Sequence, residues 1–220
     1  GSTTVEAADG RKHTFEWGPQ SLIALPLNTT CQHFNGSGRE PARLCSATSL
    51  PLMMNTIHNE AFIFNNPWVF KEREGEARYF AGEGEFLPVR PGRHMWETNF
   101  VPNVSELELR NWEARGAAGT SIVFSLADGV MHAHTSEMPV GTYKKGHRHG
   151  SCADVMIVAG TGYSLFWWDD AKDFKRLDWK HGMVFPPVEG QWHQHFNTGT
   201  KPTRYLATSM GSIRYPFTAR

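Results

Sequence analysis

Glycine and proline interrupt this 220-residue chain about every eight to twelve residues, and the runs between them are short and rich in Val, Ile, Phe, Trp and Thr. Runs of that length are too short for amphipathic helices and carry the side chains that suit a pleated, half-buried surface, so an all-β sandwich or barrel is expected. The clearest strands are 121–126, 130–138 after an Asp128-Gly129 turn, 154–159, 163–168, 183–185 and 203–208. Helical spacing is confined to 51–60 and 107–113. Hydrophobic residues make up 40% of the chain, with 14 Phe and 8 Trp, which is enough to fill a core and argues against disorder.

An internal repeat subdivides the pattern. Residues 15–35 read against 177–197 without a gap: Trp17 falls on Trp179, Gln32 on Gln194, His33 on His195, Phe34 on Phe196 and Asn35 on Asn197. With a one-residue shift, Pro41 and Arg43 meet Pro202 and Arg204, and Ala47-Thr48-Ser49 echoes Ala207-Thr208-Ser209. One position differs in its chemistry, because Cys31 stands where His193 stands in the second copy. The division expected is a partial barrel at 1–50, a short helical connector at 51–100 and a complete barrel at 101–220. A half-barrel leaves strand edges exposed. Residues 1–50 are therefore expected to pair with the C-terminal barrel, with a second copy of the chain, or with a missing N-terminal fragment. The turns Asn65-Asn66-Pro67 and Arg90-Pro91-Gly92 fall within the connector.

The chemistry-bearing residues cluster in two stretches of the second copy. Gly141 opens a run ending in His147-Arg148-His149, and Gln191-Trp192-His193-Gln194-His195-Phe196-Asn197 answers it. Two-residue spacing on a strand puts His147 and His149 on one face, and His193 from a later strand can close a triangle of imidazoles around one metal ion. Imidazole suits zinc, copper, iron and nickel alike. His195 shares a face with His193 and is a candidate proton shuttle or an orienting neighbour. Tyr143 has the parity of His147 and is expected to line the cavity, whereas Arg148 points outward. His132-Ala133-His134 repeats the His-x-His pattern without a second partner stretch and is read as structural.

Gly141, His147, His149 and Gly160, followed by Gly182, Pro187, His193 and Asn197, resemble the two motifs of the cupin superfamily, and the chain looks like the second half of a bicupin of the gentisate 1,2-dioxygenase type. The family's glutamate ligand falls on Ala153 here, as it falls on an apolar residue in gentisate-type enzymes. The resemblance implies a double-stranded β-helix and a mononuclear centre held by His147, His149 and His193, with Asn197, Gln194 and Trp192 around it and His195 and Tyr143 as catalytic candidates. Asp154, beside the empty glutamate slot, is expected to point away unless a bulge re-aims it. Ferrous iron is the metal implied, with manganese, nickel or zinc as alternatives. The substrates implied are a hydroxylated aromatic acid and dioxygen, with ring cleavage as the reaction. A redox-neutral lyase, isomerase or decarboxylase on the same site stays open, as does a non-catalytic barrel that binds a metal or small ligand.

Charge and cysteines bound the rest. Twenty-two basic and 22 acidic residues are spread along the chain without a basic stripe, which argues against a nucleic-acid partner. No apolar run reaches the length of a membrane span. Gly1-Ser2 reads as a tag remnant, followed by polar sequence unlike a signal peptide. Cys31, Cys45 and Cys152 form no CxxC spacing, so free thiols and a cytoplasmic location are expected, with a homo-oligomer as the assembly.

Overall fold

The computed structural model describes residues 1–68, 77–90, 93–127, 131–150 and 153–210, so the Asp128-Gly129 turn, Pro91-Gly92 and Cys152 lie outside the described residues. The chain opens with β1 (Ser2–Glu6), β2 (Lys12–Glu16), β3 (Leu22–Ile23) and β4 (Thr30–Phe34). Two short helices follow, α1 (Leu50–Ile57) and α2 (Glu60–Phe64), then β5 (Glu85–Arg90), β6 (Arg93–Glu97) and β7 (Phe100–Val101). Next come β8 (Arg110–Asn111), β9 (Thr120–Leu126), β10 (Met131–Met138), β11 (Asp154–Ala159) and β12 (Thr161–Trp167). The chain continues through β13 (Lys175–Lys180), β14 (Val184–Phe185), β15 (Trp192–Asn197) and β16 (Thr203–Met210).

The all-β expectation holds. Strands β14-β11-β16-β10-β9 form one wall of a barrel and β13-β12-β15 the other, with the chain crossing between walls from β11 to β12, β13 to β14, β14 to β15 and β15 to β16. This is the winding of a double-stranded β-helix. Alternation divides the large wall into two apolar faces. Val155, Ile157, Tyr205, Ala207, Met138 and Phe185 turn inward from the large wall and meet Phe166 and Trp179 from the small wall. Ile122, Phe124, Leu126, Ala133 and Leu206 turn outward and are covered by Ala24, Val101 and Val104. Buried Arg204 fastens that cover, pairing with Glu137 and donating to the carbonyls of Val104 and Leu107.

The stretch expected as a connector carries its two helices, both without a buried residue, and also three strands. Strands β5 and β6 extend the large wall, β6 running parallel to β9. The helix expected at 107–113 is absent. Leu107 and Leu109 pack against the outer apolar face while Arg110 and Asn111 pair with β9, so their spacing reflects a strand edge and not a helical stripe.

The N-terminal strands reproduce the small wall. Order β2-β1-β4 matches β13-β12-β15, and Thr3 pairs with His33 as Ser164 pairs with His195. Gly1 faces the Trp17 ring and the Phe34 carbonyl, where a Cβ would lie 2.3 and 2.4 Å away. Gly162 faces the Trp179 ring and the Phe196 carbonyl in the same manner, with 2.4 and 2.0 Å. Only glycine fits such an approach. Gly1 thus takes the place in the first sheet that Gly162 takes in the second. The sheet meets the rest of the chain through β3, paired with β7, and through Phe80 and Phe100 packed on Val5 and Phe15. Of the partners expected for residues 1–50, these contacts are within the chain.

Candidate metal centre

The stretch carrying His147 and His149 is an extended loop bridged to β15 at two points, not a regular strand. Tyr143 pairs with Phe196 and His147 with His193. Between those bridges three residues, 144–146, face two, Gln194 and His195, so the loop contains one extra residue. An extra residue reverses which side chains point inward. His147 follows inward-facing His193, whereas Tyr143 follows outward-facing Phe196. The expectation that Tyr143 lines the cavity is corrected accordingly: its ring is half exposed and packs on Phe196, which stacks on Tyr163. Lys144 takes the inward place, its amide donating to the His195 carbonyl.

His147, His149 and His193 come together. Each offers a ring nitrogen, and these nitrogens lie within 4.8 Å of one another. Ring centroids are 4.3 Å apart for His147 and His193, 4.9 Å for His149 and His193, and 6.0 Å for His147 and His149. The Nδ1 of His147 lies 2.9 Å from the Lys145 carbonyl, and that of His193 lies 3.0 Å from the Gln191 carbonyl. A carbonyl only accepts, so both Nδ1 atoms carry the proton and both Nε2 lone pairs are left for an ion. Burial, chiefly, and the nearby Arg115 guanidinium hold the His147 pKa down to about 3. Burial is also the main cause that lowers His193 to about 4. The two rings are therefore neutral at neutral pH, the form that binds metal. No carboxylate joins the group among the described residues. Ala153 is buried and Asp154 exposed, paired with Thr208 on β16, so alternation was not overridden there.

These shifts have a consequence for the metal-free protein. The unfolded chain takes up protons at these imidazoles near 6.5, while the folded chain does so only near 3 to 4. Their contribution to stability is present in full above pH 6.5 and is lost as pH falls through that window. Urea midpoints of the metal-free protein are expected to drop steadily from about pH 7 to about pH 4.5; a flat profile would contradict the buried neutral state.

His195 is buried and sits apart from the triangle, its centroid 5.5 Å from His193 and 6.2 Å from His147. Its Nδ1 lies 2.7 Å from Ser164 Oγ, which accepts from Trp179 Nε1 at 2.9 Å. The first copy contains the same chain at the same lengths: His33 Nδ1 to Thr3 Oγ1 at 2.7 Å, and Trp17 Nε1 to Thr3 Oγ1 at 2.9 Å. That copy has Cys31 in place of His193, paired with Val5 as His193 is paired with Phe166. The Ser/Thr–His–Trp tie therefore persists without the ligand set, which gives His195 a structural share. Asn197 is buried and its Nδ2 lies 3.0 to 3.1 Å from the carbonyls of Met138, Pro139 and Lys201. It thereby fixes where the Gly141 loop leaves the barrel. Trp192 lies outside, stacked on Trp167, donating to Asp169 and lying under Arg148, while Gln194 pairs with Leu165 on the same outer face. Arg148 is ion-paired with Asp169 on the exterior, as alternation requires. His132 hydrogen-bonds Ser209 and His134 packs edge-on against Tyr205, both outside the triangle. Sequence reading did not single out Ser164 or Lys144. Thr3 was the available signal for Ser164, displaced by one residue relative to the ungapped alignment.

Fold and site together define a β-barrel with a three-histidine candidate metal centre. No protein-family model matches the chain, and no curated protein matches it. Several solved structures overlap part of it at low identity. A cysteine peptidase, peruvianin-I, from Thevetia peruviana latex is 13% identical over 49% of this chain and 69% of its own, with a TM-score of 0.42. The cupin domain of Cnp3 from Schizosaccharomyces pombe is 16% identical over 51% and 74%, with a TM-score of 0.40. A protein described as a predicted oxalate decarboxylase from Thermotoga maritima is 20% identical over 49% and 95%, also at 0.40. Likenesses this slight carry no weight for family or activity. Among the described residues, no helix is long and apolar enough to cross a membrane.

Proposed function

We propose that this chain is a mononuclear metalloenzyme of the cupin type, a ferrous dioxygenase that opens the ring of a hydroxylated aromatic acid. The observation that supports it is a triangle of three imidazoles, two of them tautomerically fixed by backbone carbonyls, with no carboxylate in the group among the described residues. Three neutral ligands leave the full dipositive charge of an ion uncompensated, which favours a chelating anionic substrate. Iron bound there would supply a redox-active Lewis acid that brings the aromatic acid and dioxygen together. The chain's own part is positional. Lys145 and Gln191 carbonyls aim the ligand rings, Asn197 fixes the loop that bears two of them, and Phe166 and Phe185 pack beside His193 and His195 and keep that side of the site apolar.

The test is anaerobic loading with ferrous ion followed by an oxygen-electrode screen of hydroxylated benzoates. Oxygen uptake matched to loss of the aromatic absorbance is the expected result. Turnover of an acid without oxygen uptake would move the assignment to redox-neutral chemistry, and failure to hold any metal would move it to a non-catalytic barrel.

A further inference from the structure

The loop bulge places Lys144 where a lysine is not ordinarily found. The residue is 2% exposed, and its charge acts on the buried imidazoles of His195 and His134. The ammonium lies against Gly119, where a Cβ would come within 3.2 Å of Nζ. A buried ammonium normally has a carboxylate or several carbonyls around it. Here the ammonium has no hydrogen-bond or ion-pair partner among the described residues and keeps a small contact with solvent, and the exposed Arg115 guanidinium has no such partner either. Burial first, then Arg115 and Arg93, lower the Lys144 pKa to about 8, and no acidic group enters that balance.

Arg115 links this lysine to the metal centre. Its charge acts on His147 and His193 as well as on Lys144, His134 and Tyr205, while the charge of Lys144 acts on His134 and His195. No carboxylate is among the charges acting on any of these six groups. Two cationic groups, buried Lys144 and exposed Arg115, therefore act on the barrel's histidines, and no carboxylate is among the charges that act on those histidines. Arg115 is held at this place by its own backbone, whose carbonyl accepts from Lys145 within the same bulged loop.

We infer that Lys144 and Arg115 form a carboxylate subsite beside the metal centre, with Lys144 the anchoring group for a small organic acid whose other end reaches the histidine triangle. The inference deepens the proposed function and takes from it only the position of the triangle. A carboxylate would replace the water that meets this ammonium with a charged acceptor, whereas the amide of the same shape offers only a neutral one.

The test titrates the full-length, metal-free protein with benzoate and with benzamide by calorimetry at fixed chloride concentration. Benzoate is expected to bind at least about tenfold more tightly than benzamide, K144M to lose at least about tenfold in benzoate affinity, and K144R to stay within about threefold of wild type. R115Q, at an exposed position that does not endanger folding, is expected to weaken benzoate by about threefold or more. Equal binding of the acid and the amide, no binding of benzoate by wild type, or wild-type benzoate affinity in K144M would each overturn the subsite. Should K144M not fold, the benzamide comparison and R115Q decide. Elemental analysis of the same preparations after ferrous loading separates the two ideas. Metal held without acid discrimination removes the subsite and keeps the metal centre; Lys144-dependent benzoate binding without metal does the reverse.

Discussion

His149→Ala is expected to strip stoichiometric metal from the protein. Removing even an outer hydrogen-bond partner of a metal ligand typically weakens binding by about 10- to 100-fold, so deleting one of three ligands should exceed about 100-fold and leave little ion after dialysis. His149 is the informative choice because it lies on the loop, away from the barrel wall, and its loss should not disturb the strand pairing that carries His193. His132→Ala is the control: its ring is engaged with Ser209 and outside the triangle, so metal content should stay at wild-type level. Iron retained by His149→Ala on elemental analysis would dismantle the proposed ligand set.

Ser164→Ala should produce the largest change in stability. The substitution leaves Trp179 Nε1 and His195 Nδ1 facing each other across a buried gap where one hydroxyl served both. Each buried polar group deprived of its partner costs about 1 to 3 kcal/mol, so a loss of about 2 to 4 kcal/mol is expected from urea denaturation of the metal-free protein. Ser164→Thr should recover most of it, since Thr3 fills the same role in the first copy with the same 2.7 and 2.9 Å contacts. A loss below about 0.5 kcal/mol in the alanine variant would show that the tie is incidental.

What could be read from the residues follows the range over which each feature is determined. Alternation within a strand is local, and strands β9 to β12, β14 and β16 and the outward turn of Arg148 were legible for that reason, whereas β13, with four charged residues among its six, was not. His147, His149 and His193 were legible because motif spacing marked them. Facing direction across a bulge is not local. Whether Tyr143 or Lys144 points inward depends on how residues 144–146 register against Gln194 and His195, some fifty residues later, and nothing within the loop records that count. The repeat was seen from Trp17 onward but not back to Gly1, because the turn between β1 and β2 differs by one residue from that between β12 and β13. That single displacement concealed Thr3 and Ser164, two unremarkable hydroxyls until a third residue shows what they hold. The misjudged helix at 107–113 has the opposite origin, since Leu107 and Leu109 stand two apart, the period of an extended chain, and their partner is a sheet face.

The paired Thr3–His33–Trp17 and Ser164–His195–Trp179 ties bear on the order of events in maturation. One of the two three-stranded sheets assembles with Cys31 at the pivotal place and no ligand cluster among its described residues. If the histidine triangle takes up an ion, the barrel around it is expected to fold first, unlike small zinc modules that acquire their shape from the ion. A socket built in advance would accept whichever divalent ion is abundant at the moment of loading, so metal supply, more than the polypeptide, would select the occupant.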